Sequence, residues 1–229
     1  MTIPRLTDVQ YARQSAFSYT CGACSRCCRD KIIRVNPYEV ARLAKNRQMS
    51  TTEFHSRYTT ANGTTLKQTA DGACVFLTPR GCDVHPDRPL VCRLYPLGRR
   101  VTAEGQERFY ELSPHPQTEG RYGTNGTVQD FLDHQGAQSY VDAVEGYVDL
   151  LSRMVPIMQA VKKNSNLAGD MKRVLEGLPH EESGAVPSWL DMDQAVANYC
   201  EARRMPVPDD LDGKMKIHLQ AIEAWIGHT

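Results

Sequence analysis

No long apolar run is present in this 229-residue sequence. Nothing in it approaches the roughly 18 consecutive apolar residues of a membrane-spanning helix. The opening residues, Met1-Thr-Ile-Pro-Arg-Leu-Thr-Asp8, lack the apolar core of a secretory signal. The expectation is a cytoplasmic chain with no membrane partner. Net charge is also missing, with 27 Lys+Arg against 27 Asp+Glu. Aromatic residues are only 7% of the chain, and no aromatic-rich binding motif accompanies the arginines. Nucleic acid is therefore the lowest-ranked partner. No Gly-rich strand-turn-helix fingerprint for a nucleotide or S-adenosylmethionine is visible. The Cys-x3-Cys-x2-Cys signature of radical enzymes, internal repeats and low-complexity tracts are absent too.

Cysteine is what the chain does have. Seven of its eight cysteines fall in two clusters. The first reads Cys21-Gly-Ala-Cys24-Ser-Arg-Cys27-Cys28, and the second reads Cys74-x7-Cys82-x9-Cys92. Thiols this dense either pair as disulfides or bind metal. Disulfides are the weaker alternative, because cytosolic thiols are kept reduced. A chain of this length also buries a core without disulfide staples.

The zero net charge hides an asymmetry. Residues 21–34 carry Arg26, Arg29, Lys31 and Arg34 against Asp30, a balance of +3. Residues 74–100 carry Arg80, Arg88, Arg93, Arg99 and Arg100 against Asp83 and Asp87, again +3. The cysteine-rich segments are thus the basic ones. Guanidinium groups near a net-negative thiolate centre stabilise it and lower thiol pKa values. The plainer alternative is a solvated basic surface.

Two metal models compete. In one, Cys21, Cys24 and Cys27 bind three irons of a [4Fe–4S] cluster, and Cys74, Cys82 or Cys92 supplies the fourth ligand. In the other, the thiols build tetrahedral zinc or mononuclear iron sites, with His85 or His115 as an eighth ligand. Cys28 follows Cys27 directly, and successive side chains point in different directions. That predicts a second site, or a polynuclear cluster with an extra thiol nearby. His85 precedes Pro86, so its backbone is held extended; capping a turn or bonding Asp87 is its other expected role. Asp87, Arg88 and Arg93 are expected to support the ligands and the fold. Tyr95 reads as a packed aromatic, and Cys200 as a buried small hydrophobe. His55, His134, His180, His218 and His228 show no ligand spacing.

The first cluster, together with His85-Pro-Asp-Arg-Pro-Leu-Val-Cys92-Arg-Leu-Tyr-Pro96, resembles the YkgJ-type cysteine-cluster family, the CxxCxxCC zinc/iron-chelating domain. The resemblance spans roughly residues 18–135. It implies a metal-chelating site built from Cys21, Cys24, Cys27, Cys28, Cys74, Cys82 and Cys92. Some members resemble flagellin lysine N-methylases, which implies a protein-lysine N-methylase-like or redox enzyme acting on a protein substrate. Relatives often carry a further Cys-Pro-Gly before the Gly-rich loop. Here Ser113-Pro114-His115-Pro116 stands in its place, which puts an eighth thiol ligand in doubt. The rival class is a zinc-stapled protein without catalysis, whose helices bind a protein partner.

Local patterns predict a helix-rich α+β fold. Asn36-Pro37-x-Glu39 and Ser50-x-x-Glu53 are helix starts. Segments 31–35, 73–77 and 108–112 read as strands, and 113–126 as a loop. From Thr127 the spacing is helical, with Tyr140, Val144, Tyr147, Val148, Leu151 and Val155 as an apolar face that ends or kinks at Pro156. A linker is expected near 176–187, then helices near 189–204 and 212–226. This divides the chain into a cysteine-cluster region, 1–126, and a helical region, 127–229.

Overall fold

The computed structural model describes residues 6–60, 62–102, 104–163 and 186–227. Among these, seven α-helices and short antiparallel strands form a helix-rich α+β fold, the class expected from the sequence. The chain groups into two compact units that interleave along the sequence. Unit 1 comprises residues 1–34 and 67–139; unit 2 comprises 35–66 and 140–229.

All the strands among the described residues lie in unit 1. β1 (Leu6–Tyr11), β6 (Glu107–Leu112) and β5 (Leu97–Val101) form an antiparallel sheet in the order β1-β6-β5. Phe109 and Leu97 face its core. Glu107 accepts from both Arg13 and Arg99, which tie the ends of this sheet together. β2 (Ala16–Thr20) pairs with β7 (Arg121–Thr127), and β3 (Leu77–Thr78) with β4 (Gly81–Cys82). Two short helices complete the unit: α3 (Leu90–Leu94) and α4 (Val128–His134). Thr127 and Asp130 form a reciprocal capping box that starts α4. Its apolar face, Val128, Phe131 and Leu132, is buried, and Phe131 meets Phe17 edge-on at 5.2 Å.

Unit 2 is helical. α1 (Pro37–Asn46) starts with the predicted capping box, Asn36 and Glu39 each accepting from the other's backbone N–H. α2 (Thr51–Tyr58) starts on the Ser50 cap. α5 (Gln138–Lys163), α6 (Met192–Arg203) and α7 (Leu211–Gly227) supply the rest. The core holds Tyr38, Leu43, Phe54, Tyr140, Met192, Val196 and His218. Cys200 is buried on α6, the packing role expected of it, with its thiol toward the Pro206 carbonyl.

Several local expectations change in the folded chain. Segment 31–35 is not a strand. Its backbone bonds singly, Lys31 O accepting from the Gln68 side chain and Val35 N–H donating to Thr64 O. The 73–77 strand shrinks to a two-residue pairing starting at Leu77, because Ala73 and Cys74 instead bridge to Arg29 and Gln68. The loop expected at 113–126 ends at Gly120, and 121–127 is strand β7. Pairing with β2 overrides the glycines: Gly126, at φ +102°, lies where the register shifts, and a side chain at Gly123 would press on Ser18 Oγ. The buried face of α5 is Tyr140, Ala143, Tyr147, Leu150 and Met154, leaving Val148 and Leu151 exposed. α5 also continues through Pro156 to Lys163, since a proline removes one hydrogen bond from a helix of 26 residues. Residues 176–185 of the expected linker, His180 and His228 lie outside the described residues.

Candidate metal centre

All seven clustered cysteines belong to unit 1. Among the described residues, which include every cysteine, there is no disulfide. The two cysteine segments are joined by backbone. Cys74 N–H donates to Cys28 O at 2.9 Å, Asp30 N–H donates to Gly72 O at 2.9 Å, and Arg29 bridges Ala73. Gly72 is required at this crossing. Its φ is +78°, and an added Cβ would collide with the Asp30 carboxylate.

The first segment is an irregular loop ending in a 3₁₀ turn, Arg26–Cys28. Ala23 (φ 52°), Ser25 (φ 60°) and Asp30 (φ 55°) are left-handed although none is glycine. Such residues cost on the order of 1 kcal/mol each and concentrate at functional sites. The left-handed turn lets the Ala23 N–H reach back to Cys21 Sγ at 3.4 Å. In the second segment the backbone at Phe76 and at Val84, each two residues on, likewise pulls Cys74 and Cys82 toward the thiolate. Amides aimed at sulfur favour thiolate, the form that ligates metal. Burial opposes them, and it raises Cys74 and Cys82 overall.

Cys27 and Cys28 were expected to point apart. Their Sγ atoms are instead 4.0 Å from one another. The reason is the 3₁₀ turn. At three residues per turn, neighbours are separated by about 120° rather than the 180° of a strand. Two sulfurs on one tetrahedral ion at about 2.3 Å span ~3.8 Å, so this pair is close to one edge of such a site. The two thiols push each other's pKa in opposite directions. The hydrogen bond from Cys28, then Lys31 and Arg88, lower Cys27 against burial. Cys28 is raised, first by Cys27 and then by burial.

The remaining thiols lie in the same electrostatic neighbourhood. Cys82 and Cys92 both act on Cys28, and Cys27 acts on Cys82. Cys82 is placed by its strand pairing with Leu77, and Cys92 by α3. Among the described residues, however, no three His, Cys, Asp or Glu side chains close around one point as a finished metal cage. The thiols share a region rather than a common centre. The donor set itself suits soft, thiophilic metals: zinc, or iron in an iron–sulfur cluster.

The histidines look elsewhere. His85 Nδ1 stands 3.2 Å from the Arg88 guanidinium, and burial followed by Arg88 and Arg93 lowers its pKa. His115 Nδ1 accepts from the Gln117 N–H at 3.1 Å. Arg93 is buried and donates to the carbonyls of Pro86, Arg88 and Gln135, the fold-supporting role expected of it.

Sequence patterns did not mark three further features. Lys31 Nζ lies 3.8 Å above the Tyr95 ring. Tyr95 meets Tyr19 edge-on at 6.1 Å, and Tyr19 meets Tyr122 at 5.1 Å. This tyrosine row borders the first cysteine loop: Cys21, Cys24 and Cys27 all act on Tyr95, and burial pushes the Tyr19 hydroxyl up to about 12. Gly22 allows the loop through Glu119 to lie against the Cys21 turn, since a Cβ there would stand 2.6 Å from the Glu119 carbonyl oxygen. The sequence signals for Lys31 were its place three residues after Cys28 and its share in the +3 balance of residues 21–34.

Residues 20–115 match the model of the CxxCxxCC family, described as a "putative zinc- or iron-chelating domain". No curated protein and no solved structure matches the chain. The matched segment begins just before Cys21 and takes in all seven thiols that unit 1 gathers. Over residues 20–115 this chain is therefore similar to the CxxCxxCC family, and the match supports binding of a metal, zinc or iron.

Proposed function

We propose that unit 1 holds a [4Fe–4S] cluster through Cys21, Cys24 and Cys27. The fourth thiolate comes from Cys82 or Cys92, the second-segment cysteines that act on first-segment thiols. One observation carries this. The chain spends left-handed, non-glycine backbone on a Cys-x2-Cys-x2-Cys loop and stitches it directly to the second cysteine segment. A cluster so placed, with Lys31 and Arg88 beside it, is suited to electron transfer or redox chemistry. The family resemblance adds a protein substrate and a protein-lysine N-methylase-like activity to this reading.

A second reading has its own support. The 4.0 Å spacing of Cys27 and Cys28 suits one tetrahedral zinc or iron ion better than two corners of a cubane. On that reading the metal is a structural staple, and unit 2, with Val148 and Leu151 exposed on α5, is the part that binds a protein partner.

Anaerobic purification with metal analysis separates the two. A brown protein, absorbing broadly near roughly 400 nm and bleached by dithionite, supports the cluster. A colourless protein with stoichiometric zinc refutes it in favour of the staple. Cys28→Ser should leave iron content intact in the first case and lower zinc content in the second.

A further inference from the structure

The basic residues of the two cysteine segments do different jobs. Arg29 pairs with Asp71, and Arg99 shares Glu107 with Arg13. Arg93 is used by three backbone carbonyls. Lys31 and Arg88 differ from these: among the described residues, neither meets a carboxylate. The Lys31 ammonium rests on the Tyr95 ring. The Arg88 guanidinium is fixed by neutral groups, the His85 carbonyl at 2.6 Å, His85 Nδ1 and the Gln135 side-chain oxygen.

Each of these cations interacts electrostatically with thiols of both segments. Lys31 comes from the first segment and senses Cys27 and Cys28, but also Cys92. Arg88 comes from the second and senses Cys92 and Cys82, but also Cys21. A divalent metal or an oxidised cubane core bound by four thiolates carries two net negative charges. Two uncompensated cations flanking the thiols are its electrostatic complement.

We propose that Lys31 and Arg88 are the charge-compensating pair of this thiolate centre, and that Tyr95 is a positioning residue that holds Lys31 against it. The inference rests on the metal-binding reading but adds residues that are not ligands. Tyr95 can act this way because it is itself held: its phenol oxygen accepts from the His115 backbone N–H, and the Tyr19 ring packs edge-on against it. A cation over an aromatic face is attracted to the ring, most strongly where water is excluded. Half-burial of Lys31 therefore costs less than it would beside an aliphatic side chain.

The test uses the full-length chain, stripped of metal and kept reduced, titrated with zinc(II) against a chromophoric chelator. Zinc is the probe because thiolate sites bind it whichever metal they hold in the cell. Lys31→Met and Arg88→Met should each weaken binding by on the order of tenfold to a hundredfold at unchanged stoichiometry, the usual range for groups that support metal ligands. Lys31→Arg, which keeps the charge, should restore most of the loss. Tyr95→Phe keeps the ring and should stay close to wild type. Tyr95→Leu should weaken binding like Lys31→Met, and should add almost nothing in the Lys31→Met background. Full additivity would show that Tyr95 acts independently of Lys31 and would overturn its assigned role. Methionine variants that bind zinc as tightly as wild type would overturn the compensating pair. A wild-type chain that binds no zinc, and no iron on anaerobic purification, would instead overturn the metal-binding reading beneath it.

Discussion

Arg93→Met tests how the Cys92 end of the site is held. The Arg93 side chain is 7% exposed, and its guanidinium donates to the carbonyls of Pro86, Arg88 and Gln135. Pro86 and Arg88 lie in the link between Cys82 and Cys92, and Gln135 follows the end of α4. Methionine keeps much of the apolar stem but leaves all three acceptors without their donor. A hydrogen bond from a charged donor contributes about 1.5–3 kcal/mol. Three bonds from one side chain are not additive, and water can reach the partly exposed Arg88 and Gln135. The expected loss is therefore about 3–5 kcal/mol. For a chain of this size that lowers the melting temperature by roughly 10 °C. The assay is thermal unfolding of the metal-loaded protein, followed by circular dichroism and by metal release. Metal release should move to lower temperature with the unfolding transition, because the loop that carries Cys92 loosens. Arg93→Lys should recover only part of the loss, since an ammonium cannot fork to three carbonyls as a guanidinium does. A shift below about 2 °C for Arg93→Met would refute the reasoning and reassign Arg93 to a surface role.

Gly22→Val places a side chain against the Glu119 backbone, where even a Cβ would stand 2.6 Å from the carbonyl oxygen. Overpacking of this kind costs about 1–3 kcal/mol, so metal content and melting temperature should fall together; a variant with full metal and an unchanged melt would show that the two loops do not need this approach. His218 is buried, its Nδ1 accepting from the Tyr147 hydroxyl and its Nε2–H donating to Trp189 O, both at 2.8 Å. Burial lowers its pKa to about 4 from 6.5, so the folded state prefers the neutral ring. Its contribution is fully present above pH 6.5 and is lost as pH falls toward about 4. The span corresponds to about 3 kcal/mol, so the urea midpoint should drop between pH 7 and pH 5, and His218→Gln should show a smaller drop. Equal pH dependence in the two proteins would remove His218 as the cause.

Much of the framework was legible in the sequence because it is local. The Asn36–Glu39 box, the Ser50 cap and the Thr127 start depend on hydrogen bonds three residues apart, and all three appear as read. The strand expected at 108–112, β6, followed from its own composition, whereas β1, β2 and β7 did not. β7 carries Gly123 and Gly126, which propensity assigns to a loop, and only the partner strand β2 makes it a strand. The face of α5 was misplaced for a similar reason. Val148 and Leu151 fit a helical stripe as well as Ala143 and Leu150 do, and the packing of the other helices decides which stripe is covered.

The sequence by itself determined the chemistry of the site: which side chains can donate to a metal, and that two short motifs carry them. Spacing within a motif is covalent, so it survives in the folded chain. What only the tertiary structure decided is how the motifs meet and what surrounds them. The Cys28–Cys74 backbone bond, the 3₁₀ turn that brings the Cys27 and Cys28 sulfurs together, and the Lys31 ammonium over Tyr95 join residues that nothing in one dimension connects. Of the nine basic residues in the two segments, only the fold shows that Lys31 and Arg88 interact electrostatically with thiols of both segments while meeting no carboxylate among the described residues. Charge compensation depends on distance through space, and distance along the chain does not report it.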